Sequence, residues 1–131
     1  MTIPTELTPP RLQLANLPTP LQALERLQSR RPGPKIWLKR DDLSGCALSG
    51  NKIRKLEYSL AQALEEGCDT VITCGGLQSN HCRATALLCA QLGLSCHLVL
   101  RGEMPECGDG NLLLDQLAGA KISAYPAREY Q

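Results

Sequence analysis

Three short runs of strand-forming residues, Thr70 to Cys74, Cys96 to Leu100 and Lys121 to Tyr125, are separated by two stretches with helical spacing. This alternation constrains the chain more than any other feature. Parallel neighbours need a crossover between them, and a helix is the usual one, so strand–helix–strand at this spacing predicts a parallel sheet in an α/β layer structure. Between the first two strands, Ala84, Ala86, Leu87, Leu88, Ala90 and Leu92 cover most of a helix predicted over 80–92, closed by Gly93. Such a helix is buried on several sides. Between the last two, Asp109 is expected to cap a helix running to Leu117, with Gly119 ending it. Upstream, Ile53, Leu56, Leu60, Ala63 and Leu64 predict another helix stopped by Gly67. A strand is predicted over 36–40 and a loop over 41–50. Apolar residues at 21, 24 and 27 suit a short amphipathic helix over 21–29, after a proline-rich extended lead-in.

Composition narrows the function classes. The formal net charge is +1 and aromatic residues make up 3%, so neither phosphate attraction nor base stacking argues for nucleic acid. Arg26, Arg30, Arg31 and Lys35 read as a solvated helix end. No apolar run approaches the roughly 20 residues of a membrane span. The first residues lack the pattern of a signal peptide, so the cytoplasm is the expected compartment. Seven cysteines include no Cys-x-x-Cys pair, and most sit within apolar runs. They are expected to be reduced, buried small hydrophobes, with no metal site.

In a parallel sheet, ligands gather beyond the carboxyl ends of the strands, where loops meet helix N-termini. Two polar motifs fall there. Ser49-Gly50-Asn51-Lys52-Ile53-Arg54-Lys55-Leu56-Glu57-Tyr58 puts a primary amine at a loop-to-helix junction. Lys52, Arg54 and Lys55 can be read as the exposed first turn of a helix. Cations are unfavourable at a helix N-terminus, however, and tolerating three suggests a bound anion. Crowded positive charge also favours the neutral, nucleophilic form of a lysine. The second motif, Gly75-Gly76-Leu77-Gln78-Ser79-Asn80-His81, offers a sharp turn and then four polar side chains at the start of a helix. Backbone amides there can receive a carboxylate or phosphate. Ser79 or Asn80 could serve only as an N-cap, but a cap needs one such residue and the loop has four. Neither motif is a P-loop or a Gly-x-Gly-x-x-Gly fingerprint.

These two motifs resemble the D-cysteine desulfhydrase and 1-aminocyclopropane-1-carboxylate deaminase family, which uses pyridoxal 5′-phosphate on a tryptophan-synthase-β-like fold. Leu17 to Leu21, Trp37 to Leu43 and Leu98 to Gly102 add to the likeness, which runs from about residue 17 to the end. The resemblance implies a parallel sheet with helices on both faces, the fold type II of pyridoxal-phosphate enzymes. It divides the chain into a lead-in over 1–35 and an α/β region over 36–131 carrying the Schiff-base lysine. It implies Lys52 as that lysine and as the acid/base at the α-carbon, with Asn51 in its turn and Lys55 at the cofactor phosphate. Asn80 is implied at the phenolic oxygen, Ser79 at the substrate and in proton transfer, and Gln78 and His81 at the substrate carboxylate. His81, in place of glutamine, leans towards the desulfhydrase. The small amino acid acted on is then D-cysteine, giving hydrogen sulfide, ammonia and pyruvate; ring opening by the deaminase is the alternative. Family members continue into a second, larger part of the fold that supplies a phosphate cup and a partner for the pyridine nitrogen. No equivalent stands before Gln131, so an N-terminal portion is expected. A chain of this extent would associate with itself through an uncovered apolar surface, or persist as a non-catalytic, partner-binding fragment.

Overall fold

A computed structural model describes residues 9–45 and 48–130. Its elements in order are β1 (Leu21–Ala23), α1 (Glu25–Gln28), β2 (Trp37–Lys39), α2 (Lys52–Glu65), β3 (Thr70–Gly76), α3 (Asn80–Leu92), β4 (Ser95–Arg101), α4 (Gly110–Leu117) and β5 (Lys121–Tyr125). A 3-10 turn, Asp41–Leu43, follows β2. The last three strands form the expected parallel sheet in the order β3-β4-β5, with Thr70 opposite Ser95 and His97 opposite Lys121. Gly93 closes α3 in the left-handed conformation (φ 74°), as its position predicts.

The N-terminal region departs from expectation. Instead of one helix over 21–29, the chain forms β1 and then a single helical turn. β1 pairs antiparallel with β2, Leu21 opposite Lys39 and Ala23 opposite Trp37, in a separate two-stranded sheet. Leu24 N–H donates to the Ile36 carbonyl and Arg40 N–H to that of Pro20, which frame the hairpin. An amphipathic helix needs a surface to bury its stripe, and none is present here: Leu21 and Leu27 stay exposed. With no tertiary face to reward it, the weak helical preference yields to strand pairing.

One buried side chain gathers several of the bonds that hold the lead-in. Glu57, fully buried on α2, accepts hydrogen bonds at Oε1 from the backbone amides of Leu14 and Ala15, each 2.8 Å long. Arg11 Nε donates to Oε2, also at 2.8 Å. Burial alone would raise the Glu57 pKa, but the Ala15 and Leu14 amides and the Arg11 guanidinium together hold it below its ordinary value.

The core gathers Ile53, Leu56 and Leu60 of α2, Leu88 and Cys89 of α3, Leu98 and Leu100 of β4, and Leu112 of α4. Along β4 the alternation is clear: Cys96, Leu98 and Leu100 are buried while His97 and Val99 are only half so. The α/β class is as expected. The parallel sheet is flanked by helices, and among the described residues α2, α3 and α4 all contribute to this cluster, which the buried side chains of β4 face. The other face carries Ile72, 67% exposed, with Cys74 and Tyr125 also exposed. Among the described residues, the segment after β5 turns back over it, Tyr130 Oη donating to the Val99 carbonyl at 3.4 Å.

Pleating also corrects the reading of the cysteines. Cys82, Cys89 and Cys96 are buried hydrophobes, but Cys68, Cys74 and Cys107 are exposed. Cys74 lies in an apolar strand yet on its open face, while Cys68 and Cys107 lie between elements. Cys46 is outside the described residues.

Candidate functional site

Both polar motifs come to the same end of the sheet. β3 runs directly into Gly75-Gly76 and α3 starts four residues later. Gly75 has no room for a side chain: an added Cβ would lie 2.7 Å from Ser79 Cβ and Oγ and 2.8 Å from Cys82 Sγ. That close approach draws the first turn of α3 onto the end of β3. Ser79 Oγ accepts from Cys82 N at 3.2 Å, so Ser79 is the N-cap of α3 as well as a site candidate. A Cβ on Gly102, at φ +146°, would meet the Leu77 side chain at 2.7 Å, which packs the end of β4 against the same loop.

Gln78 does what Asp109 was expected to do. Asp109 makes no capping bond from its side chain. The free amide at the start of α4, Asn111 N, instead donates to Gln78 Oε1 at 2.8 Å. Gln78 Nε2 in turn donates to Asp109 Oδ1 at 2.8 Å and to the Asp109 carbonyl at 3.2 Å. A glutamine from the first loop thus caps the helix of the next crossover, and its whole amide group is engaged.

Asn111 then ties the pieces together. Its Nδ2 donates to the Gln78 carbonyl (2.9 Å) and to Asn80 Oδ1 (2.8 Å), while its Oδ1 accepts from Arg83 Nη1 (2.9 Å). Arg83 Nη2 reaches the Ser49 carbonyl at 2.7 Å, linking α3 to the loop before Lys52. Neither Asn111 nor Arg83 was among the residues the sequence singled out. Each carried a signal: an arginine within an otherwise apolar helix must find partners, and an asparagine after Gly108-Asp109-Gly110 sits in turn-forming surroundings.

Lys52 opens α2. Asn51 does not cap that helix through its side chain; its Oδ1 accepts from Lys52 Nζ at 2.9 Å. Of the three cations expected to crowd here, Arg54 does not take part. It forms a two-pronged ion pair with Asp41, Nε to Oδ2 at 2.8 Å and Nη2 to Oδ1 at 2.6 Å, with the buried Thr19 hydroxyl bridging. Its charge is spent holding the loop after β2, and it offers nothing to an anion. Lys55 and Lys52 remain, and both act on His81. Burial, then the charges of Lys55 and Lys52, hold His81 below its ordinary pKa of 6.5, so that the imidazole is neutral at pH 7. Its Nε2 pairs with Thr73 Oγ1 at 3.1 Å, and its buried Nδ1 has no partner among the described residues.

The residues implied by the resemblance therefore fall around two linked loops. Lys52, Asn51 and Lys55 stand on one, with Gln78, Ser79, Asn80 and His81 on the other. A shallow hollow lined by Leu24, Gln28, Ile36 and Trp37 lies in the β1–β2 region and contains none of them.

A profile of the family described as "Pyridoxal-phosphate dependent enzyme" matches residues 12–131. The chain belongs to this family. It is 46% identical over 122 residues to the Arabidopsis thaliana bifunctional D-cysteine desulfhydrase/1-aminocyclopropane-1-carboxylate deaminase, a match covering 89% of this chain and 30% of the relative. It is 48% identical over 118 residues to the D-cysteine desulfhydrase of Salmonella paratyphi A, covering 86% and 36% respectively. A solved structure of an ACC deaminase homologue superimposes with a TM-score of 0.81 at 45% identity, covering 89% of this chain and 35% of that one. The chain thus spans about a third of the length of these relatives.

The donor set suits a phosphorylated aldehyde. An accessible primary amine, a second lysine one turn on, and a neutral imidazole facing both lie beside a glycine turn at a helix N-terminus. The amide at the start of α4 is already taken by Gln78, so this helix end is not a second free anion cradle.

Proposed function

We propose that the chain carries the lysine-bearing part of the active site of a pyridoxal-phosphate-dependent lyase of the D-cysteine desulfhydrase type. The reaction converts D-cysteine and water into hydrogen sulfide, ammonia and pyruvate. The observation that carries this reading is the grouping of Lys52 and Lys55 around a neutral, half-buried His81. When bound, pyridoxal phosphate withdraws electrons from the amino acid's α-carbon and makes its proton removable.

Lys52 Nζ would hold the cofactor's aldehyde carbon, Asn51 Oδ1 would steady that amine, Lys55 would neutralise phosphate, and Asn80 would bind the phenolic oxygen. Freed from the aldehyde when the substrate's amino group takes its place, Lys52 Nζ would remove and return the α-proton, with the Ser79 hydroxyl beside the substrate assisting. His81 lines the substrate carboxylate site as a neutral group. Gln78 contributes there by fixing the N-terminus of α3 against α4. In this reading residues 36–131 are the lysine-bearing unit and residues 1–35 a lead-in. The relatives' additional length completes the enclosure, and two copies associate through the open sheet face around Ile72. No helix among the described residues is long and apolar enough to cross a membrane. Free thiols such as Cys74 and Cys82 suit a reducing cytoplasm.

Deamination of 1-aminocyclopropane-1-carboxylate is the second reading, supported by the bifunctional Arabidopsis relative and the solved homologue. A non-catalytic, partner-binding role is the third, supported by the exposed Ile72 and Tyr125.

The test begins with the absorption spectrum of the chain mixed with pyridoxal phosphate, then borohydride reduction and peptide mapping. Label on Lys52, lost in Lys52→Ala, is the expected result; label scattered over surface lysines overturns the assignment. Thiol release from D-cysteine against 2-oxobutanoate from the cyclopropane acid then separates the first two readings, and neither product leaves the third. Turnover by Lys52→Ala would contradict both enzymatic readings. A clean monomer on gel filtration would remove the association through the open face.

A further inference from the structure

We infer that Arg83 and Asn111 are positioning residues that fix the hydrogen-bond polarity of Asn80, so that it presents N–H donors and not its carbonyl oxygen to a ligand. The argument needs only the chemistry of each group. A guanidinium donates and never accepts, so the Asn111 atom that meets Arg83 Nη1 at 2.9 Å must be the amide oxygen. This leaves Asn111 Nδ2 on the other branch, and an amide nitrogen only donates. One of its protons goes to the Gln78 carbonyl, a backbone oxygen that can only accept, at 2.9 Å. The other goes to Asn80 at 2.8 Å, which must therefore offer its oxygen. Asn80 Nδ2, on the opposite branch, is turned away from Asn111, and no acceptor among the described residues reaches it. Asn80 is exposed, so those two protons are available to a ligand.

Alone, an exposed asparagine can flip and bind donors or acceptors alike. The relay removes that freedom, because flipping Asn80 would set two N–H₂ groups against each other. The atom recognised at this point is consequently a hydrogen-bond acceptor, with an oxyanion favoured above all. If the reading proposed above holds, that atom is the phenolic oxygen of the cofactor; the donor polarity itself does not depend on this reading. Arg83 extends the same relay to the Ser49 carbonyl, coupling the orientation of Asn80 to the loop that carries Lys52.

Proton exchange of the side-chain amides, measured by NMR on the unliganded 131-residue chain, tests the polarity directly. The Asn111 δ2 protons should exchange slowly and those of Asn80 quickly, and pyridoxal 5′-phosphate should shift the Asn80 pair. Protected Asn80 protons beside freely exchanging Asn111 protons would overturn the relay, whatever the chain binds.

Variants supply an independent reading. Asn80→Asp keeps an acceptor for Asn111 but removes the outward donors, and should weaken pyridoxal-phosphate binding on the order of ten- to a hundredfold without loss of fold. Arg83→Lys, still a pure donor, should leave the Asn80 protons fast-exchanging, whereas Asn111→Asp, which can only accept, should turn the Asn80 amide round and protect its protons. A residue that merely stabilised the helix would not reverse exchange rates in this way. Unchanged exchange in Asn111→Asp would also overturn the relay. If Lys52 labelling fails while the exchange pattern holds, the cofactor reading falls and the relay stands.

Discussion

Glu57 and Asp115 are both carboxylates with no exposed surface, and their circumstances are opposite. Glu57, on α2, receives two backbone amides and Arg11. Asp115, on α4, has no hydrogen-bond partner for either oxygen among the described residues. The pKa values follow. Glu57 lies below its ordinary value because its donors outweigh burial. Burial pushes Asp115 up to about 6, and the charge of Arg83 pulls it back only in part. Burial therefore does not set the sign of a charge's contribution; the count of donors aimed at it does. The comparison also divides the lysine motif. Glu57 stands within it, yet serves to fasten the lead-in, while chemistry is proposed for Lys52 five residues earlier.

The largest break in the comparison is Glu57→Ala. It strands the half-buried amides of Leu14 and Ala15, and each orphaned donor costs about 1–3 kcal/mol, so the loss should be about 3 kcal/mol. Urea unfolding measures it, and a midpoint near that of the parent chain would refute the account of Glu57 as a clasp. Asp115→Asn should act the other way, stabilising the chain by about 3 kcal/mol at pH 7.5, since the pKa rises from 3.8 to about 6 and each unit corresponds to about 1.4 kcal/mol.

The pH dependence sharpens this. Folded Asp115 holds its proton up to about pH 6, against an ordinary value of 3.8. Between those values the folded form binds more protons, so stability falls as pH rises through the window and the cost is complete above it. The advantage of the asparagine variant should therefore grow as pH rises from 3.8 to about 6, stay level above that, and vanish below 3.8. Glu57 has the reverse slope: its contribution is present above 4.5 and is lost as pH falls. A stability difference between Asp115→Asn and the parent that did not change with pH would contradict the account of Asp115. The smallest effect belongs to Arg11→Ala. The Arg11 side chain is 43% exposed and the two amides stay in place, so a loss under about 1 kcal/mol is expected. A larger loss would shift the weight from the amides to the ion pair.

Much of the fold was legible because it rests on local pattern. β3, α3 and β4 stand within a residue or two of where the apolar spacing puts them, and Gly93 ends α3 in the conformation its place requires. The hairpin of β1 and β2 was missed because its pairing joins residues far apart in the chain, and no local pattern records a partner. In the site, the residue types were readable but their directions were not. Gln78 turned towards α4, Arg54 towards Asp41, and Asn111 became the hub of a network no single motif contains.

Sequence alone determined that strands and helices would alternate, that a lysine and a polar glycine loop would meet at one end of a parallel sheet, and which family these motifs belong to. Backbone periodicity and crossover geometry compel the first two, and two specific motifs carry the third. Only the tertiary structure decided which charges are spent internally, which buried carboxylate is satisfied, and which way the Asn80 amide points. Those outcomes depend on donors and acceptors brought within 3 Å by residues 13 to 46 positions away, and spacing along the chain does not encode them.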